Sequence, residues 1–285
     1  MKISFLFLSL IINLIALFII SYRNLIAFKV LDIKLKIKDL FLINNFIFLI
    51  GYLTPFRYTS AVSAPILYKY KYNVPTDKTC AVFFLDILLY LLIQVLVVSL
   101  FFKFIPNLTD KNYIKLIIAL SIFLVFILMI FKVRNRFLSI ANDILNNLKK
   151  LISTKEFLIK YLVAAVIFVF LIPLMVYFIF LSLSINTTYL IAFIAYWLSL
   201  TIGFISGIPG GFGARDLTMG SILVLLLNID VKISALAVLL YRIISMLPHF
   251  IFGGFYFLLI GKEIKDLIKN KSKNKLNKAD SPEEL

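Results

Sequence analysis

Seven residues, Gly207-Ile-Pro209-Gly210-Gly211-Phe-Gly213, place four glycines and a proline in the middle of uncharged sequence. Glycine and proline weaken a helix interior by about 1 and about 3 kcal/mol each. Broken backbone at membrane depth persists only where protein or a water-filled cavity satisfies its N–H and C=O groups. The chemistry open to such a loop is anion binding. Its free N–H groups, beside the N-terminus of a half-helix starting near Asp216, could receive an anionic headgroup such as a phosphate. A packing break that lets helices approach closely is the other reading. Arg215 and Asp216 adjoin the loop, Arg215 to pair with a lipid phosphate and Asp216 to position it or exchange a proton. Their structural alternative is an Asp216 cap with Arg215 snorkelling to an interface. No Gly-Lys-Ser/Thr follows, so the loop is not a nucleotide-binding P-loop.

Two more charges, Asp86 and Arg242, interrupt otherwise apolar runs. Intramembrane ionisable residues are costly unless paired and mark functional sites by default. We expect these two either to pair with each other as a structural ion pair or to serve a ligand, Arg242 on phosphate and Asp86 tuning it or carrying a proton. His249, the one histidine, cannot build a metal site alone and reads as a satisfied interior or interfacial side chain. Cys80, the one cysteine, cannot form an intramolecular disulfide and reads as apolar filler. Metal-ligand clusters, nucleophile elbows and paired carboxylates are absent in compatible contexts. We therefore expect no catalytic residues, no metal and no cofactor.

The elements that must position these residues follow from composition. Of 285 residues, 62 % are apolar or aromatic and 15 % charged, with mean hydropathy +1.03, against about a quarter charged in soluble domains. A spanning helix takes about 20 residues, so the chain reads as an all-α, polytopic integral membrane protein. The net charge of +16 would suggest nucleic acid in a soluble protein. Here the basic residues lie between apolar runs, at 23–39, 57–78, 132–160 and 262–285, as in cytoplasmic loops facing anionic lipid. Nucleic acid is therefore not expected as a partner. The run Ile3 to Tyr22 exceeds a signal-peptide core and lacks a small-residue cleavage site, so it reads as the first spanning helix.

Apolar residues at 3-4 spacing from Phe137 to Ile152 predict an amphipathic connector within 132–160, and 262–285 reads as a Lys-rich cytoplasmic tail. If 23–39, 132–160 and the tail all face the cytoplasm, an even number of crossings separates each pair. Leu40 to Phe56, Thr79 to Phe102 and Asn112 to Phe131 make three. The first therefore reads as a re-entrant hairpin near 40–70, broken at Gly51 to Pro55 and followed by Arg57. By the same count a second hairpin near 189–229 dips in from outside, broken at Gly203 and at Gly207 to Gly213. The chain thus divides into a first membrane half (1–131), the connector, a second half (161–261) and the tail. Two hairpins opening to opposite sides predict an inverted-topology repeat, with Gly51 and Gly203 as equivalents 152 residues apart.

The stretch from Gly207 to Asp216, then Leu240-Tyr-Arg242 and a proline-containing last helix, resembles the membrane domain of lysylphosphatidylglycerol synthases and its free-standing, flippase-like relatives. The Arg23 segment, Leu53-Thr-Pro55-Phe-Arg57 and Asp86 fit that pattern in order, so the resemblance covers about residues 20 to 260. Departures are Asp216 where the family usually has Glu, Thr59-Ser60 where it has Gly-Glu, and Val82-Phe83 where it has charges. The resemblance implies translocation without synthesis, and we expect the cargo to be a phospholipid or polyprenyl-phosphate-linked anionic lipid of the cell membrane; with no ATP-binding motif, we expect passive or ion-coupled transport. The alternative is a non-transporting subunit that anchors or regulates a separate glycosyl- or aminoacyl-transferase. A partner transferase or a homo-oligomer are the protein partners this leaves open.

Overall fold

The computed structural model describes residues 2–53, 58–104 and 138–261, and no strand occurs among them. The apolar segment Leu116 to Phe131, Pro55, Arg57 and the tail lie outside the described residues. The helices are α1 (Ile3–Val30), α2 (Ile37–Leu53), α3 (Tyr58–Tyr72), α4 (Thr76–Phe104), α5 (Leu138–Ser153), α6 (Lys155–Ser182), α7 (Tyr189–Ile205), α8 (Ala214–Leu227) and α9 (Val231–Pro248). A 3-10 turn, Pro209–Gly211, joins α7 to α8, and α9 continues through a π-helical segment, His249–Gly253.

Four segments are long and apolar enough to cross a membrane: Ile3–Val30, Lys155–Ser182, Pro209–Leu227 and Val231–Gly261. Their exposed faces are apolar. On α1 Phe7, Ile11, Ile15 and Phe18 point outward, and on α6 Ile159, Val163, Ile167 and Phe170 do the same. A stripe of large apolar side chains at 3-4 spacing with no protein over it needs lipid as its solvent. The chain is a multi-pass, all-α membrane protein.

These outward residues on α1 and α6 correspond pairwise at a spacing of 152. The buried ones, Ile12 with Ala164, Ala16 with Phe168, Ile20 with Ile172 and Phe28 with Phe180, do so as well. Both helices have 28 residues, starting at Ile3 and Lys155. α2 and α7 both have 17, starting at Ile37 and Tyr189, again 152 apart. The packing also matches: α1 on α2, α2 on α3, α3 on α4 and α1 on α4 in the first half, and α6 on α7, α7 on α8, α8 on α9 and α6 on α9 in the second. α1 and α6 lie antiparallel. Lys2 N–H donates to the Ser182 carbonyl at 2.8 Å at one end, and Arg23 donates to the Tyr161 hydroxyl at 2.9 Å near the other.

α5 is amphipathic, with Leu148 and Leu151 buried and Lys149 and Lys150 exposed. It is held to the bundle by Asn147 donating to Asp77 at 2.8 Å and by Lys150 pairing with Asp32 at 2.5 Å. Lys150 holds the Asp32 carboxyl below its usual range. That pair is exposed on both sides and adds little stability.

Candidate functional site

The glycine loop folds back on itself. Gly207, Gly210, Gly211 and Gly213 all have positive φ. Most of the loop's N–H groups are spent internally. Gly211 donates to the Ile208 carbonyl at 2.9 Å, Phe212 to Pro209 at 3.1 Å, and Gly213 to the Asp216 carboxylate at 3.0 Å. The expectation of a cradle of free N–H groups is corrected by this geometry, because tight turns satisfy these donors before any ligand can. What the loop offers instead is carbonyl oxygen, and Arg242 takes it. Its Nη1 and Nη2 donate to the Gly210 and Gly211 carbonyls at 3.1 and 3.2 Å, and its Nε donates to Asp216 Oδ1 at 2.6 Å. The guanidinium also lies 4.6 Å from the centre of the Phe212 ring. Every nitrogen of Arg242 is therefore in use, and its role is to hold the loop in shape.

Asp216 has two jobs. It caps α8 through Gly213 N–H, as the capping alternative held, and it is the counter-ion of Arg242. α8 itself begins at Ala214, two residues before the expected start. Asp86 and Arg242 do not pair. Asp86 instead accepts from Arg23 on α1 and from the Tyr161 hydroxyl on α6. The physical reason is proximity. Each charge finds a partner on a helix packed against its own, α1 against α4 and α8 against α9.

Arg215 is the residue the fold treats most unusually. It is 3 % exposed, so it does not snorkel. Its guanidinium sits between the rings of Tyr196 on α7 and Tyr241 on α9, 5.1 and 4.9 Å from their centres. Its Nε and Nη2 have no hydrogen-bond partner among the described residues. Gly203 makes this possible, since a Cβ there would stand 2.9 Å from Arg215 Cβ. Tyr241 stood in the Leu240-Tyr-Arg242 motif without a role of its own, and Tyr196 was not singled out by the sequence. Tyr241 precedes Arg242 directly, and Tyr196 lies seven residues before Gly203, where helical repeat turns it to the same face.

The first half meets this site through α2. Tyr52 lies against Gly210, 3.3 Å from where a Cβ on that glycine would stand, and meets His249 at a tilt of 46° with ring centres 5.6 Å apart. His249 is buried, and its Nδ1 lies 2.9 Å from Asn45 Oδ1. Because Asn45 Nδ2 donates to the Phe41 carbonyl at 2.7 Å, the oxygen must face the ring, so Nδ1 carries the hydrogen. His249 is the satisfied interior histidine that was expected, and it locks α2 to the π segment. Gly253 completes the contact, its missing Cβ leaving room 2.8 Å from the Asn45 carbonyl oxygen. π segments of this kind recur at functional sites in helices.

A helical membrane bundle that buries two arginines, with a half-buried aspartate beside them, around a glycine-rich break defines the class: a multi-pass membrane protein with buried cationic groups inside the bundle. The chain belongs to the family of the lysylphosphatidylglycerol synthase TM region, whose profile matches residues 1–253. Comparison with curated proteins finds no match, and comparison with solved structures finds none. Membership of this family makes it a membrane protein concerned with lipid handling.

Proposed function

We propose that the protein moves an anionic lipid between leaflets, with the lipid phosphate binding at Arg215 beside the glycine loop. The observation that carries the reading is Arg215 itself, a buried guanidinium with two donors unspent and no ion pair among the described residues. A lone charge in a spanning helix costs about 2.5 to 3.5 kcal/mol on insertion scales. The two tyrosine faces offset part of that through cation–π attraction. Arg215, Arg242 and Asp216 together leave one net positive charge inside the bundle, which an anionic headgroup neutralises. Residues Gly207, Pro209, Gly210, Gly211 and Gly213 shape the site, Arg242 and Asp216 hold it, and Arg215 meets the ligand. No nucleotide-binding motif stands in the chain, so exchange runs down a gradient or with a coupled ion.

The equal helix lengths, the common spacing of 152 and the antiparallel α1–α6 pair support an inverted repeat, with α2–α3 and α7–α8 as its two broken hairpins. In that arrangement α1 and α6 cross at a two-fold axis in the membrane plane. Lys71 and Asn186 then face opposite sides of the membrane. In a Cys80→Ser background, single cysteines at Lys71 and Asn186 should react with an impermeant reagent from opposite faces of sealed vesicles. Labelling from one face defeats the hairpin arrangement.

The function is tested in liposomes holding the purified protein and a panel of labelled lipids. Anionic phospholipid should exchange leaflets with the wild type, while Arg215→Gln should slow exchange at least tenfold without loss of folded protein. Arg215→Lys should fall between, because it keeps the charge and loses the planar fork. Absence of exchange by wild-type protein alone would favour the reading of a subunit for a separate transferase.

A further inference from the structure

The bundle holds a second arginine in the same kind of setting. Arg23 on α1 is 1 % exposed, and its guanidinium lies 4.7 Å from the centre of the Tyr161 ring and 5.8 Å from that of Tyr90. Its Nη2 donates to Asp86 and to the Tyr161 hydroxyl, while its Nε has no hydrogen-bond partner among the described residues. Arg215 is built alike, buried between two tyrosines with Nε unspent. The difference is the anion. Arg23 has Asp86, and Arg215 has none among the described residues.

We propose that Arg23, clamped by Tyr90 and Tyr161, is a second phosphate station, and that the Asp86 carboxylate occupies the place a lipid phosphate takes during transport. A carboxylate and a phosphate present the same geometry to a guanidinium, two oxygens in a plane. Asp86 reaches Arg23 through one oxygen, Oδ1, and that oxygen is shared with Tyr161, so the fork is only half used. Next to it stands a buried polar surface. Asn24 donates to Asn44 Oδ1 at 3.3 Å, Tyr68 donates to the same oxygen at 3.1 Å, and Asn44 donates to Ser21 at 3.4 Å. These groups can solvate the hydroxyls of a headgroup where lipid tails cannot. Arg23 lies seven residues before the end of α1, about 10 Å along the helix, at the end of the bundle that carries the basic loops. The inference rests on the translocation reading for the ligand being a lipid, and on this site alone for its being an anion.

The test uses the full chain in detergent, with Arg215→Gln in every sample so that the first site is silent. Binding is measured for dihexanoyl-phosphatidylglycerol, dihexanoyl-phosphatidylcholine and inorganic phosphate. Asp86→Asn should tighten binding of the phosphatidylglycerol at least tenfold, with no such gain for the phosphatidylcholine, and adding Arg23→Gln should erase the gain. A matching gain with inorganic phosphate assigns the station to phosphate as such, and a gain with the lipid only assigns it to the headgroup. Equal affinity with and without the Asp86 charge, or a gain that survives loss of Arg23, overturns the proposal. If Asp86→Asn does not fold, Tyr161→Phe serves. It frees Asp86 from one bond and keeps both charges, and about threefold tighter binding is expected, with unchanged affinity counting against the station. Failure here with intact leaflet exchange leaves the Arg215 reading standing, whereas loss of exchange in wild type defeats that reading first.

Discussion

Asp86→Asn lowers the yield of folded protein sharply, Arg23→Gln introduced with it restores most of that yield, and Arg242→Gln introduced with it does not. The Arg23–Asp86 pair is buried on both sides, with side-chain exposures of 1 % and 12 %. Removing one member of a buried pair costs about 3 to 5 kcal/mol, because the other charge stays behind uncompensated. Removing both leaves a neutral, hydrogen-bonded site that the surrounding helices tolerate. Arg242 answers to Asp216 instead, so its loss adds a second defect on another interface. Size-exclusion yield and the thermal midpoint of the three proteins read the result directly. Recovery by Arg242→Gln would mean that the two halves are paired through these charges after all.

The glycine loop gives the second large effect. Gly211 has φ +68, and a Cβ there would stand 3.2 Å from Gly203 Cα and 3.4 Å from Arg215 Cβ. Valine meets both obstacles, a left-handed backbone that costs an ordinary residue about 1 to 2 kcal/mol and a β-branched one more, and crowding from backbone that cannot yield. Gly211→Val should abolish lipid exchange and displace Arg215. Two milder variants separate the causes. Gly213→Ala has φ +80 with open space around its Cβ, so it tests backbone strain alone. Gly203→Ala drives a Cβ to 2.9 Å from Arg215 Cβ, so it tests crowding. If Gly203→Ala slows exchange more than Gly213→Ala, the position of Arg215 is what matters.

Much of this architecture was legible in the residues. Hydropathy and the placement of Lys and Arg gave helices and a membrane, and the cluster of glycines around Pro209 marked the broken element. The 152-residue spacing was visible at Gly51 and Gly203 before the helix lengths repeated it. What could not be read was which charge answers which. Asp86 and Arg242 occupy similar positions along α4 and α9, which favoured a pairing of the two, but partner choice depends on which helices touch. Arg23 looked like the first residue of a basic loop because it ends an uncharged run. It lies inside α1, which continues to Val30. The loop's N–H groups looked free because sequence shows glycines and not the turns they close. Tyr161 and Tyr196 were hidden among 14 tyrosines in an apolar chain, where an aromatic residue carries no signal of its own.

The antiparallel seam between α1 and α6 has a consequence for biosynthesis. α1 is made before α6, and that helix, which covers its long buried face, begins 152 residues later, at Lys155. At about 5 to 20 residues per second, the nascent α1 waits roughly 8 to 30 s for that partner. Arg23 waits less, since Asp86 follows it by 63 residues. Ser21 bonds to the Leu17 carbonyl within α1 and Asn24 meets Asn44 on α2, but Asn13 waits longest, since its partners are the Ile244 and Ser245 carbonyls of α9. The nascent chain is therefore a client for the insertion machinery until α6 and α9 arrive, and ribosome stalling between α4 and α6 should leave it most exposed to membrane proteases.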